Sequence, residues 1–114
     1  MEVELTKDAE YMLCAIYKSY KEKRKNGISK SEAKCTGGAG NIHSNLMPEW
    51  SFADVDETCR ELSRAGFLAC LYADNVTYYA DLTDKAVIYM ENRFINGLTG
   101  VLEYMAKIKQ AILF

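Results

Sequence analysis

The chain has 114 residues, of which 49% are hydrophobic and 26% charged, and its net charge is −2 at pH 7. This length suits one domain, and so high an apolar content excludes a disordered chain. No apolar run approaches the ~18 residues of a membrane-spanning helix, and the acidic start MEVELTKDAE lacks the apolar segment of a signal peptide. We therefore expect a single cytoplasmic domain over residues 1–114 that does not contact a membrane.

The four cysteines, Cys14, Cys35, Cys59 and Cys70, are far apart and form no CxxC pair. This spacing is not that of a zinc site, so reduced structural thiols are expected. The single histidine, His43, is eight residues from Cys35, but the glycine-rich chain between them fixes no geometry for a nucleophile and its base. The sequence predicts no metal, no cofactor and no enzymatic activity.

Two helices are predicted in the first third of the chain. The first begins near Thr6 and ends at Asn26-Gly27, and its buried face has apolar residues spaced by three and four, namely Ala9, Leu13, Ile16 and Tyr20. Ser29 and Glu32 form a capping box that opens a short second helix. Residues 37–50, GGAGNIHSNLMPEW, are predicted to be a long irregular loop.

A helix, a hairpin and another helix are predicted next. Ser51 caps the third helix, which ends at Gly66 and whose core face is Phe52, Val55, Cys59 and Leu62. The β-prone runs 67–72 and 76–80 flank Asp74-Asn75, a plausible hairpin tip. Thr83 caps a fourth helix. The fold class is therefore mainly α with a small β-hairpin (α+β), with its core at about residues 5–94.

A further helix is predicted over residues 98–113, and its apolar residues follow the alternating spacing of a coiled-coil seam. Because this helix follows the hairpin and lies outside the predicted core, we expect it to form a symmetric homodimer. The predicted interface consists of Leu98, Val101, Leu102, Met105, Ile108 and Ile112. The alternative is that the helix packs back on the first helix of the same chain.

Two stretches carry a resemblance to known proteins: residues 55–68, VDETCRELSRAGFL, and residues 78–83, YYADLT. The chain resembles the winged helix-turn-helix superfamily, in the arrangement of PadR- and MarR-type bacterial regulators. In those families the recognition helix ends in a pattern like RAGFL, and the second strand of the wing runs into a Leu-Thr that starts the next helix. The resemblance implies a winged-helix domain with an added C-terminal dimerisation helix.

The resemblance further implies a dimeric transcriptional regulator that binds double-stranded DNA. Residues 18–34 hold seven basic side chains and two glutamates, a local net charge of +5 that favours a polyanion. Phosphate contacts are expected from the first two helices, through Lys23, Arg24, Lys25, Lys30 and Lys34. Base contacts are expected from the third helix and the loop before it, through His43, Asn45, Ser51, Thr58, Arg60 and Arg64.

Other charges favour a different hypothesis. The third helix opens with Asp54, Asp56 and Glu57, the wrong sign for a groove lined by phosphates, and the hairpin tip ADNV has no basic residue. The basic cluster could equally be the solvated end of the first helix, where lysine and arginine complement the helix dipole. The alternative function is a winged-helix protein–protein interaction module that does not bind DNA and whose acidic third helix meets a basic partner.

Overall fold

The computed structural model describes residues 4–112, which form a mixed α+β fold of six helices and one three-stranded antiparallel sheet. The elements in chain order are α1 (Lys7–Lys25), α2 (Lys30–Ala33), β1 (Cys35–Gly37), α3 (Ala39–Asn45), α4 (Phe52–Arg64), β2 (Leu68–Ala73), β3 (Val76–Leu82), α5 (Asp84–Arg93) and α6 (Leu98–Ile112). Residue 113, the predicted end of the last helix, lies outside the described residues. The α+β class is thus confirmed.

Four helices begin where their capping residues predict. In each case a side-chain oxygen accepts a hydrogen bond from the backbone N–H three residues later, and the four caps are Thr6, Ser29, Ser51 and Thr83. Each cap satisfies one of the donors that a helix start leaves without a partner, a contribution of about 1 kcal/mol. The predicted starts of α1, α2, α4 and α5 are confirmed.

The predicted hairpin is also confirmed. Strands β2 and β3 pair in antiparallel register from Leu68 opposite Leu82 to Ala73 opposite Val76. At the tip, Asp74 and Asn75 have φ values of 51° and 63°, the left-handed pair that a type I′ turn requires. Gly66, which ends α4, is left-handed as predicted, with φ 84°.

The loop predicted at residues 37–50 is wrong, because this segment completes a strand and contains a helix. Strand β1 pairs with β3, so the sheet order is β1-β3-β2, and α3 follows immediately. Gly38 allows this arrangement, since a Cβ atom there would meet the backbone oxygen of Tyr78 and come within 2.8 Å of the Thr77 oxygen. Packing against the sheet therefore outweighs the poor helix propensity of AGNIHSN.

Helix α1 lies at the centre of the core. The structure buries its predicted face and also Met12, Cys14 and Tyr17, because α2, α4, α5 and α6 all pack around it. Val55, Cys59 and Leu62 of α4 are fully buried as predicted, but Phe52 is 40% exposed at the start of that helix, so its place on the core face is wrong. Its ring instead meets the edge of His43.

Helix α6 packs along α1 of the same chain. Glu10 of α1 accepts hydrogen bonds from the Tyr104 hydroxyl at 2.7 Å and from Arg93 Nη1 at 2.9 Å. The seam predicted to face a partner is largely used inside the chain: Val101 and Ile108 are buried, while Leu98, Met105 and Ile112 are half-buried. Leu102 is 47% exposed, and a homodimer stays a prediction.

Two of the thiols are held inside this core. Burial raises the pKa of Cys14 and of Cys59 to about 12, so both are protonated at neutral pH and poor nucleophiles.

None of the helices between residues 4 and 112 combines the length and apolar character needed to cross a bilayer.

Candidate functional site

Helix α4 is joined to the β2–β3 hairpin by a charged pair. Asp56 accepts hydrogen bonds from Arg60 Nε at 3.1 Å and from the Thr77 backbone N–H at 2.6 Å. Arg60 Nη2 donates to the Asn75 carbonyl at 2.7 Å, and the guanidinium lies 4.6 Å from the Tyr72 ring centre. The pair therefore fixes the hairpin tip against the helix, which makes α4 and the hairpin one surface.

Asp56 is held in its charged form by these partners. Burial by itself would raise the pKa of the carboxyl, but the hydrogen bonds from Thr77 and Arg60 outweigh burial and lower the pKa. A carboxyl group whose pKa is lower in the folded than in the unfolded state stabilises the fold at pH values above its unfolded-state pKa. This stabilisation is lost as the pH falls through the folded-state pKa.

Asp56→Asn is expected to lower the free energy of unfolding by about 1–2 kcal/mol at neutral pH, because two charge-assisted hydrogen bonds lose their charge. The difference from the native protein should begin to shrink as the pH falls below about 4, the ordinary pKa of an unfolded-state aspartate, and should vanish only below the lowered folded-state pKa of Asp56. Urea unfolding at neutral and acidic pH checks this. Asp74→Asn at the exposed hairpin tip is the matched control, since it removes the same charge. An equal loss in both variants would contradict the role of Asp56.

The solvent-facing side of α4 is acidic. Asp54, Glu57 and Glu61 are spaced by three and four, which places them along one side of the helix, and Asp8 of α1 lies beside them. Partial burial, and to a smaller extent the neighbouring charges of Asp54 and Glu61, raise the pKa of Asp8. We call these four residues the acidic face. Sequence reasoning missed Asp8 and Glu61, because only the packing of α1 on α4 brings them together.

The α4 residues predicted to read bases are mostly engaged within the chain. Ser51 accepts from the Asp54 backbone N–H as the helix cap, and Arg60 is bound to the hairpin. Thr58 is only 5% exposed and donates to the Asp54 carbonyl at 2.7 Å, which leaves little of its surface for the predicted contact with DNA. Arg64 is exposed and lies 3.8 Å from Glu57.

His43 and Asn45 lie on α3 rather than in the predicted loop. His43 Nε2 is 2.7 Å from the Trp50 carbonyl, a hydrogen bond that holds the segment between α3 and α4. Asn45 Nδ2 donates to the Asn41 side chain one helical turn earlier. Neither side chain is brought together with the basic residues of α4.

Most of the predicted phosphate-binding residues make polar contacts within the chain. Lys30 and Lys34 both lie near Asp84 of α5, at 3.7 and 2.8 Å from its Oδ1 atom. Lys30 lies in α2 and Lys34 directly follows it. The sequence suggested that α2 directly precedes α4, but β1 and α3 lie between them in the chain. Lys23 Nζ donates to the Cys35 carbonyl at 3.0 Å, Arg24 donates to the Ile28 carbonyl, and Lys25 is exposed.

No protein-family model, no curated protein and no solved structure matches this chain. Among residues 4–112, no three histidine, cysteine, aspartate or glutamate side chains are grouped so that they could hold a metal ion. The function therefore has to be inferred from the arrangement of the chain's own residues.

Proposed function

We propose that the chain is a winged-helix module that binds a basic protein partner through the acidic face of α4 and the adjoining hairpin. The order of elements supports the winged-helix assignment, because α3 and α4 are followed by a two-stranded wing whose second strand leads into the next helix. In this arrangement α4 takes the place of the recognition helix and the turn at Asp74-Asn75 is the tip of the wing.

The charge of the acidic face is the observation that carries the proposal. A recognition helix that approaches DNA meets a dense line of phosphates, and carboxylates there oppose binding. Of the two arginines on α4, Arg60 is held by Asp56 and the wing, and Arg64 lies beside Glu57. The same surface exposes apolar area at Phe52 and Tyr72, which suits a protein interface.

The second candidate is the DNA-binding transcriptional regulator, and the net charge of +5 over residues 18–34 favours it. On this hypothesis Lys25 and its neighbours at the end of α1 contact phosphates without help from α4. These phosphate contacts would be strongly salt-dependent and would carry no sequence information by themselves, so a regulator would also need contacts to bases. A symmetric homodimer would give it two-fold binding sites.

An NMR titration separates the two candidates. The isotope-labelled chain is titrated with a lysine-rich peptide and, in a separate sample, with a mixed DNA duplex, each at about 50 and 200 mM salt. We expect the peptide to shift the amide signals of α4 and the wing, and the DNA to leave the spectrum unchanged. Asp54→Lys combined with Glu57→Lys should weaken peptide binding roughly tenfold or more, equivalent to at least about 1.4 kcal/mol. These two side chains are exposed, so the fold should be retained.

Arg24→Glu combined with Lys25→Glu is the matched control, because it reverses two exposed charges at the end of α1. The control should bind the peptide at least as well as the native chain. The opposite outcome would be that the native chain binds DNA, that the α1 control variant loses this binding, and that the α4 variant keeps it. That result would overturn the proposal and establish the second candidate.

A further inference from the structure

A cavity of about 130 Å³ lies between α1 and α3, beneath the segment that joins α2 to β1. Its floor is aliphatic and consists of Ile16, Ala33, Ile42 and Leu46. Its remaining lining is polar and consists of Ser19, Lys23, Thr36, Asn41 and Asn45. The cavity is distinct from the acidic face, since none of the residues of that face lines it.

The two helices line the cavity with a matching pattern. On α1, Ser19 and Lys23 are four residues apart and so lie on one side of the helix. On α3, Asn41 and Asn45 have the same spacing and Ile42 turns into the floor. A cavity with an apolar floor and a few polar groups at one side has the usual composition of a small-molecule site.

Most polar groups of the cavity are satisfied by the chain itself. Thr36 Oγ1 donates within the sheet segment, Asn41 Nδ2 donates to the Thr36 carbonyl, and Asn45 Nδ2 donates to Asn41. The Ser19 hydroxyl, by contrast, makes no side-chain hydrogen bond within residues 4–112. It is therefore available to a bound molecule.

Lys23 gives the cavity its charge. The residue is partly buried, and its ammonium group donates to the Cys35 carbonyl and has no carboxylate within 4.0 Å in the part of the chain that the structure describes. Nearby, Lys18, Lys30 and Lys34 are each paired with a carboxylate. A lysine that lines a cavity without a counter-charge favours an anionic ligand.

We propose that this cavity binds a short-chain aliphatic monocarboxylate. The carboxylate would accept hydrogen bonds from Lys23 Nζ and Ser19 Oγ, while the hydrocarbon tail lies on the four aliphatic side chains of the floor. An aliphatic tail suits this floor, because its four side chains are all aliphatic. A chain of roughly four to six carbon atoms suits this volume, given that a cavity of about 150 Å³ holds a molecule the size of benzene.

Isothermal titration of the full chain with butyrate tests the site. A Kd on the order of 1 mM is expected for a ligand with so few non-hydrogen atoms. 1-Butanol, which has the tail without the charge, and inorganic phosphate, which has charge without the tail, should each bind at least roughly tenfold more weakly. Butanol or phosphate binding as well as butyrate would overturn the proposed ligand class, and no heat of binding from butyrate would overturn the site.

Two variants place the site on the molecule. Lys23→Met keeps the length of the side chain and removes the charge, so it should weaken butyrate binding roughly tenfold or more, whereas Lys25→Met on the exposed end of α1 should leave it unchanged. Ser19→Leu keeps the charge and fills the cavity, and should abolish binding. Amide spectra of each variant establish that the fold is retained, and undiminished butyrate binding by folded Lys23→Met or Ser19→Leu would overturn the assignment.

Discussion

Replacing Val101 with aspartate is expected to lower the free energy of unfolding by about 3–5 kcal/mol, a large part of the stability of a domain this size. Val101 is fully buried where α6 joins the core, so the new carboxylate would have neither water nor a cationic partner. Denaturation by guanidinium chloride, followed by circular dichroism at several protein concentrations, measures the loss.

Leu102→Asp is the matched control for that experiment, because the neighbouring side chain is 47% exposed. It should change the stability by less than about 1 kcal/mol, and both proteins should show unfolding midpoints that do not depend on concentration. If Leu102→Asp caused the larger loss and converted a dimer to a monomer in sedimentation, α6 would be an interface between two copies, as the sequence pattern suggested.

Gly38→Ala is expected to lower the free energy of unfolding by about 3 kcal/mol, the upper end of the usual effect of overpacking. The backbone of Gly38 has φ −100° and ψ −171°, which alanine adopts without strain, so conformational preference does not cause the effect. The cause is contact, since the added methyl group would collide with the backbone of Tyr78 and Thr77 in β3. Thermal unfolding gives the difference from the native protein.

Gly40→Ala, two residues further on, should have the opposite sign. A Cβ atom there would lie 4.0 Å from the Phe52 ring, an ordinary contact, and alanine is the better helix former. We expect stabilisation of roughly 0.5–1 kcal/mol. Destabilisation by both substitutions would mean that position 40 is as crowded as position 38, and destabilisation by neither would place Gly38 away from the sheet.

The helices and the hairpin were predictable because their signals are local. A capping oxygen such as that of Thr6 or Ser51 acts on a donor three residues away, and a type I′ turn needs only two residues with positive φ. These interactions are complete within a few residues of sequence. The apolar periodicity of α6 was equally clear. The same spacing is expected, however, whether the helix packs on α1, as it does, or on a second copy of the chain.

Strand β1 and helix α3 were not predictable from such signals. A three-residue strand is too short to show alternation, and α3 has two isolated apolar anchors, Ala39 and Ile42, among glycine and asparagine. Strand β1 pairs with β3, about forty residues later in the chain, and α3 packs against the same strand. Their stability is therefore tertiary, and propensity carries little information about it.

The candidate site was predictable only in its composition. The sequence shows that the third helix is acidic and that residues 18–34 are basic, which is enough to state both functional hypotheses. It does not show that Arg60 is occupied by Asp56 and the wing, or that Lys23 turns toward a cavity. Those facts depend on which elements lie side by side.

The packing of α6 on α1 also determines when the protein can finish folding during its synthesis. The Tyr104–Glu10 hydrogen bond joins residues 94 positions apart, so the side of α1 that α6 covers stays open until the last described helix has been translated. Because chains emerge from the ribosome at roughly 5–20 residues per second, the nascent chain exposes apolar residues of its central helix for several seconds. Exposed apolar surface of this kind makes incompletely folded chains prone to aggregation.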